Sequence, residues 1–236
     1  MFRPIAFALF TLAACGGSDG ETIDAQTAPA TINVSGVASE IGVGGRTPVA
    51  GVVVEAYREG NDAVIAMATS AADGTFTIPV TTGGVALDGY LLAKPPAKAD
   101  PYFNTYLYPP APLAADSDQA TVLLLTERTF MAVEALTRLT QDPAKGWIGV
   151  MVVDAANMPV AGAMVSSSPA GSPVKYNSGS PSLPSEDATM TDAGGIAYIF
   201  NVGPGTVTVS ATKAGATFHP HPLDARAGQI TTTLVQ

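Results

Sequence analysis

The sequence predicts an all-β protein made of two tandem β-sandwiches joined by a short helix. Three observations carry this reading. Apolar residues alternate with threonine and other polar residues in several short segments, the period-two pattern of half-buried strands. Gly- and Pro-containing turn signals separate those segments. One turn motif, Pro-Val-Ala-Gly, occurs at 48–51 and again at 159–162, so the chain reads as two copies of one plan.

The alternation is clear in particular segments. Phe76, Ile78 and Val80 share one face, with Thr75 and Thr77 on the other. Val207, Val209 and Ala211 do the same against Thr206, Thr208, Ser210 and Thr212, and Ile230 and Leu234 lie opposite Thr231 and Thr233. Apolar runs at 32–37 and 147–153 precede the two motif copies, and runs at 52–57 and 163–165 follow them. Strands are expected near 31–38, 51–57, 63–69, 74–80, 86–93, 103–108 and 120–126 in the first copy. In the second they are expected near 146–153, 162–168, 186–192, 195–201, 205–213, 216–222 and 229–235.

The resulting layout is a leader at 1–14, a flexible tether at 15–30, a first sandwich at 31–126, a helical linker at 127–145 and a second sandwich at 146–236. The tether is rich in small and polar residues and has no hydrophobic period. In the linker, Phe130, Val133, Leu136 and Leu139 recur at helical spacing. Thr126 is placed to cap that helix and Asp142-Pro143 to end it. Residues 166–186 are rich in Ser, Pro and Gly and longer than a hairpin turn. They read as a mobile insertion, or as an ordered binding loop around Tyr176.

The order of an opening strand, a Pro-x-x-Gly turn, a second strand and a Gly turn before an alternating strand resembles the carboxypeptidase regulatory-like domain, a transthyretin-like β-sandwich. The Gly203-Pro204-Gly205 turn into Thr206-Val207-Thr208-Val209 extends the resemblance. It spans nearly all of 146–236 and is looser over 31–126. It implies Greek-key sandwiches of about seven strands, and no shared catalytic residues.

The N-terminus carries a different signal. Arg3 precedes an uncharged run, Ile5 to Leu12, and then Ala13-Ala14-Cys15-Gly16. A basic start, a short apolar stretch and small residues at the end describe a secretory signal. The run is too short for a spanning helix, which needs about 20 apolar residues. Leu12-Ala13-Ala14-Cys15 resembles the lipobox of bacterial lipoproteins. That resemblance implies diacylglyceryl transfer to the Cys15 thiol, cleavage before it and acylation of the new amino terminus. Cys15 is the only cysteine, so no intrachain disulfide forms. Gly16 in place of Asp favours the outer membrane, facing the periplasm or the surface.

Charge and motifs exclude several function classes. Charged residues make up 13% of the chain, against about 25% in ordinary soluble domains. The net charge is −9, and removing 1–14 takes Arg3 with it. Such a chain repels phosphate backbones, so nucleic acid is not an expected partner. No Gly-x-Ser-x-Gly elbow, His-Glu-x-x-His motif or phosphate-binding glycine loop occurs. Gly42-Val43-Gly44-Gly45 reads as a loose turn. No catalytic residue and no cofactor are expected.

Two groups remain as binding candidates. Tyr102, Tyr106 and Tyr108 share strand parity, and with Trp147 could stack on sugar rings or anchor an envelope protein. Their bland alternative is core and seam filling. His219 and His221 are the only histidines and would share a face on an extended segment. They are weak candidates for a metal pair, with a carboxylate such as Asp224 needed to complete the site. The expected role is a membrane-anchored, non-catalytic structural or interaction module. The alternatives are carbohydrate binding by the aromatics and metal binding by the histidines.

Overall fold

The computed structural model describes residues 26–42, 45–179 and 183–236. In chain order these form β1 (Thr31–Gly42), β2 (Gly45–Pro48), β3 (Val53–Arg58), β4 (Ala66–Thr69), β5 (Thr75–Thr81), β6 (Gly89–Lys94), β7 (Thr105–Tyr108) and β8 (Ser117–Leu124). There follow α1 (Glu127–Thr137), β9 (Gly146–Val152), β10 (Met164–Ser168), β11 (Val174–Ser178), β12 (Leu183–Ser185), β13 (Ile196–Val202), β14 (Gly205–Thr212), β15 (His221–Ala225) and β16 (Ile230–Val235). Alternation in sequence becomes alternation in burial. In β5 the side chains of Phe76, Ile78 and Val80 are buried while the threonines are exposed. In β14, Val207, Val209 and Ala211 are buried in the same way.

The architecture is an all-β sandwich, but its two halves are not separate beads. A nine-stranded sheet runs β12-β11-β13-β9-β16-β7-β6-β3-β4 through both. Its bridge is the last strand: β16 pairs in parallel with β7 of the first half and with β9 of the second. Two smaller sheets pack on opposite faces. A four-stranded sheet is centred on β1, with β8 parallel on one edge and β5 and β2 antiparallel on the other. A three-stranded sheet runs β10-β14-β15.

Strand parity assigns the two faces to different cores. Val54, Ala56, Leu91 and Ala93 of the large sheet meet Ile32, Val34, Phe76, Ile78, Val122 and Leu124 of the four-stranded sheet. On the opposite face Ile148, Val150, Val152 and Ile199 meet Val207, Val209 and Leu223 of the three-stranded sheet. Tyr57, Tyr90, Leu92 and Tyr108 of the first half join this second core. A third cluster of Leu125, Phe130, Val133, Trp147, Phe200 and Ile230 seats α1. The Thr126 hydroxyl caps α1 by accepting the Thr129 N–H at 3.2 Å. The helix ends at Thr137 because Arg138 turns left-handed, with φ 49°, five residues before the expected Asp142-Pro143 stop.

The sequence repeat is a structural lock built twice. In the first half the Ala38 N–H donates to Gly74 O and the Val49 N–H to Ala38 O. In the second the Val152 N–H donates to Gly195 O and the Val160 N–H to Val152 O. Gly74 and Gly195 both have positive φ, 78° and 68°. A Cβ on either would lie 2.5 or 2.6 Å from the carbonyl of Ala38 or Val152, and 3.1 Å from the ring of Pro48 or Pro159. A buried hydroxyl completes each copy. Ser70 donates to Val49 O and accepts from the Val52 N–H. Thr191 donates to Val160 O and accepts from the Ala163 N–H.

Several expected elements differ. The segment 186–192 is not a strand; Thr191 serves the lock instead. The missing strand pairs lie in the segment expected to be mobile. There β11 and β12 form a hairpin on β13, and Tyr176 is buried with its hydroxyl accepting the Val165 N–H. The strand expected at 216–222 begins at His221. The β1–β2 hairpin is not among the expected strand pairs. The tether is pinned before its expected end, where Thr27 bridges Val85 and the Ala28 N–H donates to Gly84 O.

Candidate functional site

The nine-stranded sheet is wider than the layers packed on it, and the uncovered strip forms a groove. On that face the four-stranded sheet covers β3, β6 and β7 and stops at β8. No described strand pairs with the outer edge of β8. Beyond it α1 covers Trp147, Phe200 and Ile230. Between them lies a groove of about 850 Å³, well inside the range of roughly 300–1,000 Å³ typical of small-molecule sites. Gly149 and Met151 of β9, Ile196 and Tyr198 of β13 and Thr232 and Leu234 of β16 line it. So do Leu123 of β8 and Ala132 and Leu136 of α1, with Leu87 and Leu113 beside the start of β6.

The lining is mainly apolar. Arg46, Gln119 and Asn177 also reach it. Burial pushes the Tyr198 hydroxyl up to about 12, against the opposing pull of Asn177 and Arg46. It therefore stays protonated. The sequence carries one signal for this surface. The run Trp147 to Val153 is apolar at nearly every position, as in a strand covered on both faces. Here one face is core and the other is partly groove.

The opposite face holds a tyrosine cluster capped by one cation. The Tyr57 and Tyr90 rings stack at 5.1 Å, as do those of Tyr90 and Tyr108. The Arg226 guanidinium lies 4.0 Å from the Tyr106 centroid and 4.8 Å from that of Tyr90. It also donates to the Tyr108 hydroxyl at 3.1 Å. An arginine after β15 thus clamps three tyrosines of the first half. Burial pushes the Tyr108 hydroxyl up to about 12, although Arg226 opposes it. Burial likewise raises Tyr57, whose hydroxyl donates to Glu55 at 2.6 Å. Burial works against the Glu55 carboxylate, but hydrogen bonds from Lys94 and Tyr57 outweigh it and hold the group below its ordinary range.

The aromatic candidates therefore have separate surroundings. Tyr108 is 3% exposed and Trp147 6%, so neither offers a free ring face for stacking. Tyr106 is half-buried beneath Arg226. Tyr102 is half-buried, donates to Glu40 and has the Lys98 ammonium 3.8 Å from its ring centroid. These rings fill core and seam. Phe130 at 5.1 Å and Phe200, stacked at 5.7 Å, flank Trp147.

The histidines also diverge. His219 is exposed, and its backbone N–H donates to Gln236 O. His221 lies in β15 beside a cavity of about 350 Å³ that Glu59, Asp88 and Pro109 also line. Burial holds its imidazole below the ordinary range, against the pull of Asp88. Among the described residues no three His, Cys, Asp or Glu side chains come together as a metal-binding group. The Asp224 carboxylate accepts from the Thr206 hydroxyl and faces Arg226 at 3.8 Å. Cys15 lies outside the described residues. No described helix is long and apolar enough to cross a membrane.

No protein-family model and no curated protein matches the chain. Among solved structures, the chain is similar to the shaft pilin SpaA of Lactobacillus rhamnosus GG, at 14% identity and a TM-score of 0.27, covering 87% of this chain and 97% of that one. It is similar to GBS52, a minor pilin of Streptococcus agalactiae, at 12% identity and a TM-score of 0.26, covering 86% and 94%. The Bacillus anthracis TIE protein matches at 13% identity and a TM-score of 0.26, where 87% of this chain spans 34% of that protein. Likeness at this level carries nothing further about the chain, and its role rests on its own residues.

Proposed function

We propose that the protein is a lipid-tethered, non-catalytic structural module of the bacterial cell envelope. Acyl chains on Cys15 hold it to a membrane, and Gly16 favours the outer membrane. The nine-stranded sheet is the observation that carries the structural part. It makes two sandwiches into one body through β16, which suits a spacer or docking surface for an envelope protein or glycan. Arg226 and the tyrosines beneath it are spent on internal contacts.

The anchor follows from the sequence. Each buried CH₂ contributes about 0.8 kcal/mol, and one chain alone gives marginal binding. A diacylglyceryl group with an added N-acyl chain gives stable attachment. Fractionation tests this. The native protein is expected in the membrane fraction with Cys15 acylated, and the Cys15→Ser protein in the soluble fraction. A Cys15→Ser protein that remains fully membrane-bound refutes the anchor.

A further inference from the structure

We infer that the groove beside β8 shelters an acyl chain carried by Cys15 of the same molecule. This rests on the proposed lipidation and adds a resting place for one of the chains. The groove holds about 850 Å³ and its lining is mainly aliphatic and aromatic, the surroundings that a long hydrocarbon requires.

The Ala86 N–H donates to Gln26 O at 2.8 Å. The next residue, Leu87, lines the groove together with Leu113, with which it forms a bridge. The N-terminal segment therefore joins the body at one end of the groove. Cys15 lies 11 residues before Gln26, a reach of up to about 36–40 Å when extended. From β6 to β13 there are four steps between neighbouring strands, roughly 19 Å at about 4.8 Å each. The tether is long enough to lay a chain along Met151, Tyr198 and Leu234.

A lipid-bearing protein that crosses an aqueous compartment exposes its chains to water unless something covers them. Here the body supplies its own cover, and the bilayer takes the chain once the membrane is reached.

The test uses the full chain in cells fed a diazirine-bearing palmitate, irradiated before and after membrane insertion, with crosslinks mapped by mass spectrometry. The expected result before insertion is label on Cys15 crosslinked within the same molecule to peptides containing Met151, Tyr198 or Leu234. In Met151→Glu, and separately in Leu136→Glu on the exposed side of α1, those crosslinks fall about tenfold, a ratio that corresponds to about 1.4 kcal/mol. Unchanged melting of each variant shows that the fold is intact. Label on Cys15 that crosslinks only to phospholipid, to a second copy or to other proteins overturns this inference and leaves the anchor standing. Absence of label on Cys15 overturns the anchor, and the inference with it.

Discussion

Ser70 and Thr191 each close a turn by donating to one half-buried backbone carbonyl and accepting from one buried backbone N–H. Loss of the hydroxyl leaves a buried N–H, that of Val52 or Ala163, without its acceptor. Ser70→Ala and Thr191→Val are each expected to lower stability by about 1–3 kcal/mol, whereas Ser70→Thr and Thr191→Ser are expected to change it little. Urea unfolding measures all four; a near-zero effect of Thr191→Val removes the lock as a source of stability. The repeat that frames these residues was legible as Pro-Val-Ala-Gly. The hydroxyls were not, because they lie at unequal distances from the motif and Ser and Thr abound. The tyrosines were legible as a face, since Tyr106 and Tyr108 do share one. Their cap was not, because Arg226 is 118 residues from Tyr108, and no local pattern encodes such a contact.

Elements pack here by close backbone approach as much as by side-chain volume. At Gly36 a Cβ would lie 1.7 Å from Ala120 O, so β1 and β8 sit this close only because the residue is glycine. Gly36→Ala forces the strands apart and is expected to cost at least about 1–3 kcal/mol. A Cβ on Gly203 would meet nothing within 4 Å, and Gly203→Ala serves as the near-neutral control. Thermal melting compares the two; equal melting temperatures contradict the close-approach account. Strands with clean alternation, such as β5 and β14, were legible in the sequence. The β11–β12 hairpin was not. Val174 and Tyr176 do alternate with Lys175 and Asn177, but Ser, Pro and Gly on both sides mask so short a signal. The helix was visible from its apolar spacing, while its early stop at Arg138 depends on a left-handed turn that any non-proline residue can be forced to adopt.

At the scale of the whole molecule, β16 decides how many cooperative units exist. The tandem copies were legible, and so was β16 as a strand. Its partners were not, because strand pairing at this separation is set by the three-dimensional edge that β7 and β9 leave open. Since β16 pairs with both, the halves are expected to unfold in one calorimetric transition whose measured and van't Hoff enthalpies agree. Two resolved transitions contradict the single body. Deletion of 230–236 removes Ile230 and Val235 from two cores, leaves the edges of β7 and β9 unpaired, and is expected to destabilise both halves together.

The same strand imposes an order in time. Thr233 and its partner Tyr108 are 125 residues apart, so β7 stays unpaired on that side until the distant segment is in place. Until then its edge offers a template to any other strand. Without β16, β7 and β9 each carry a raw edge, and its pairing with both closes the seam between the halves.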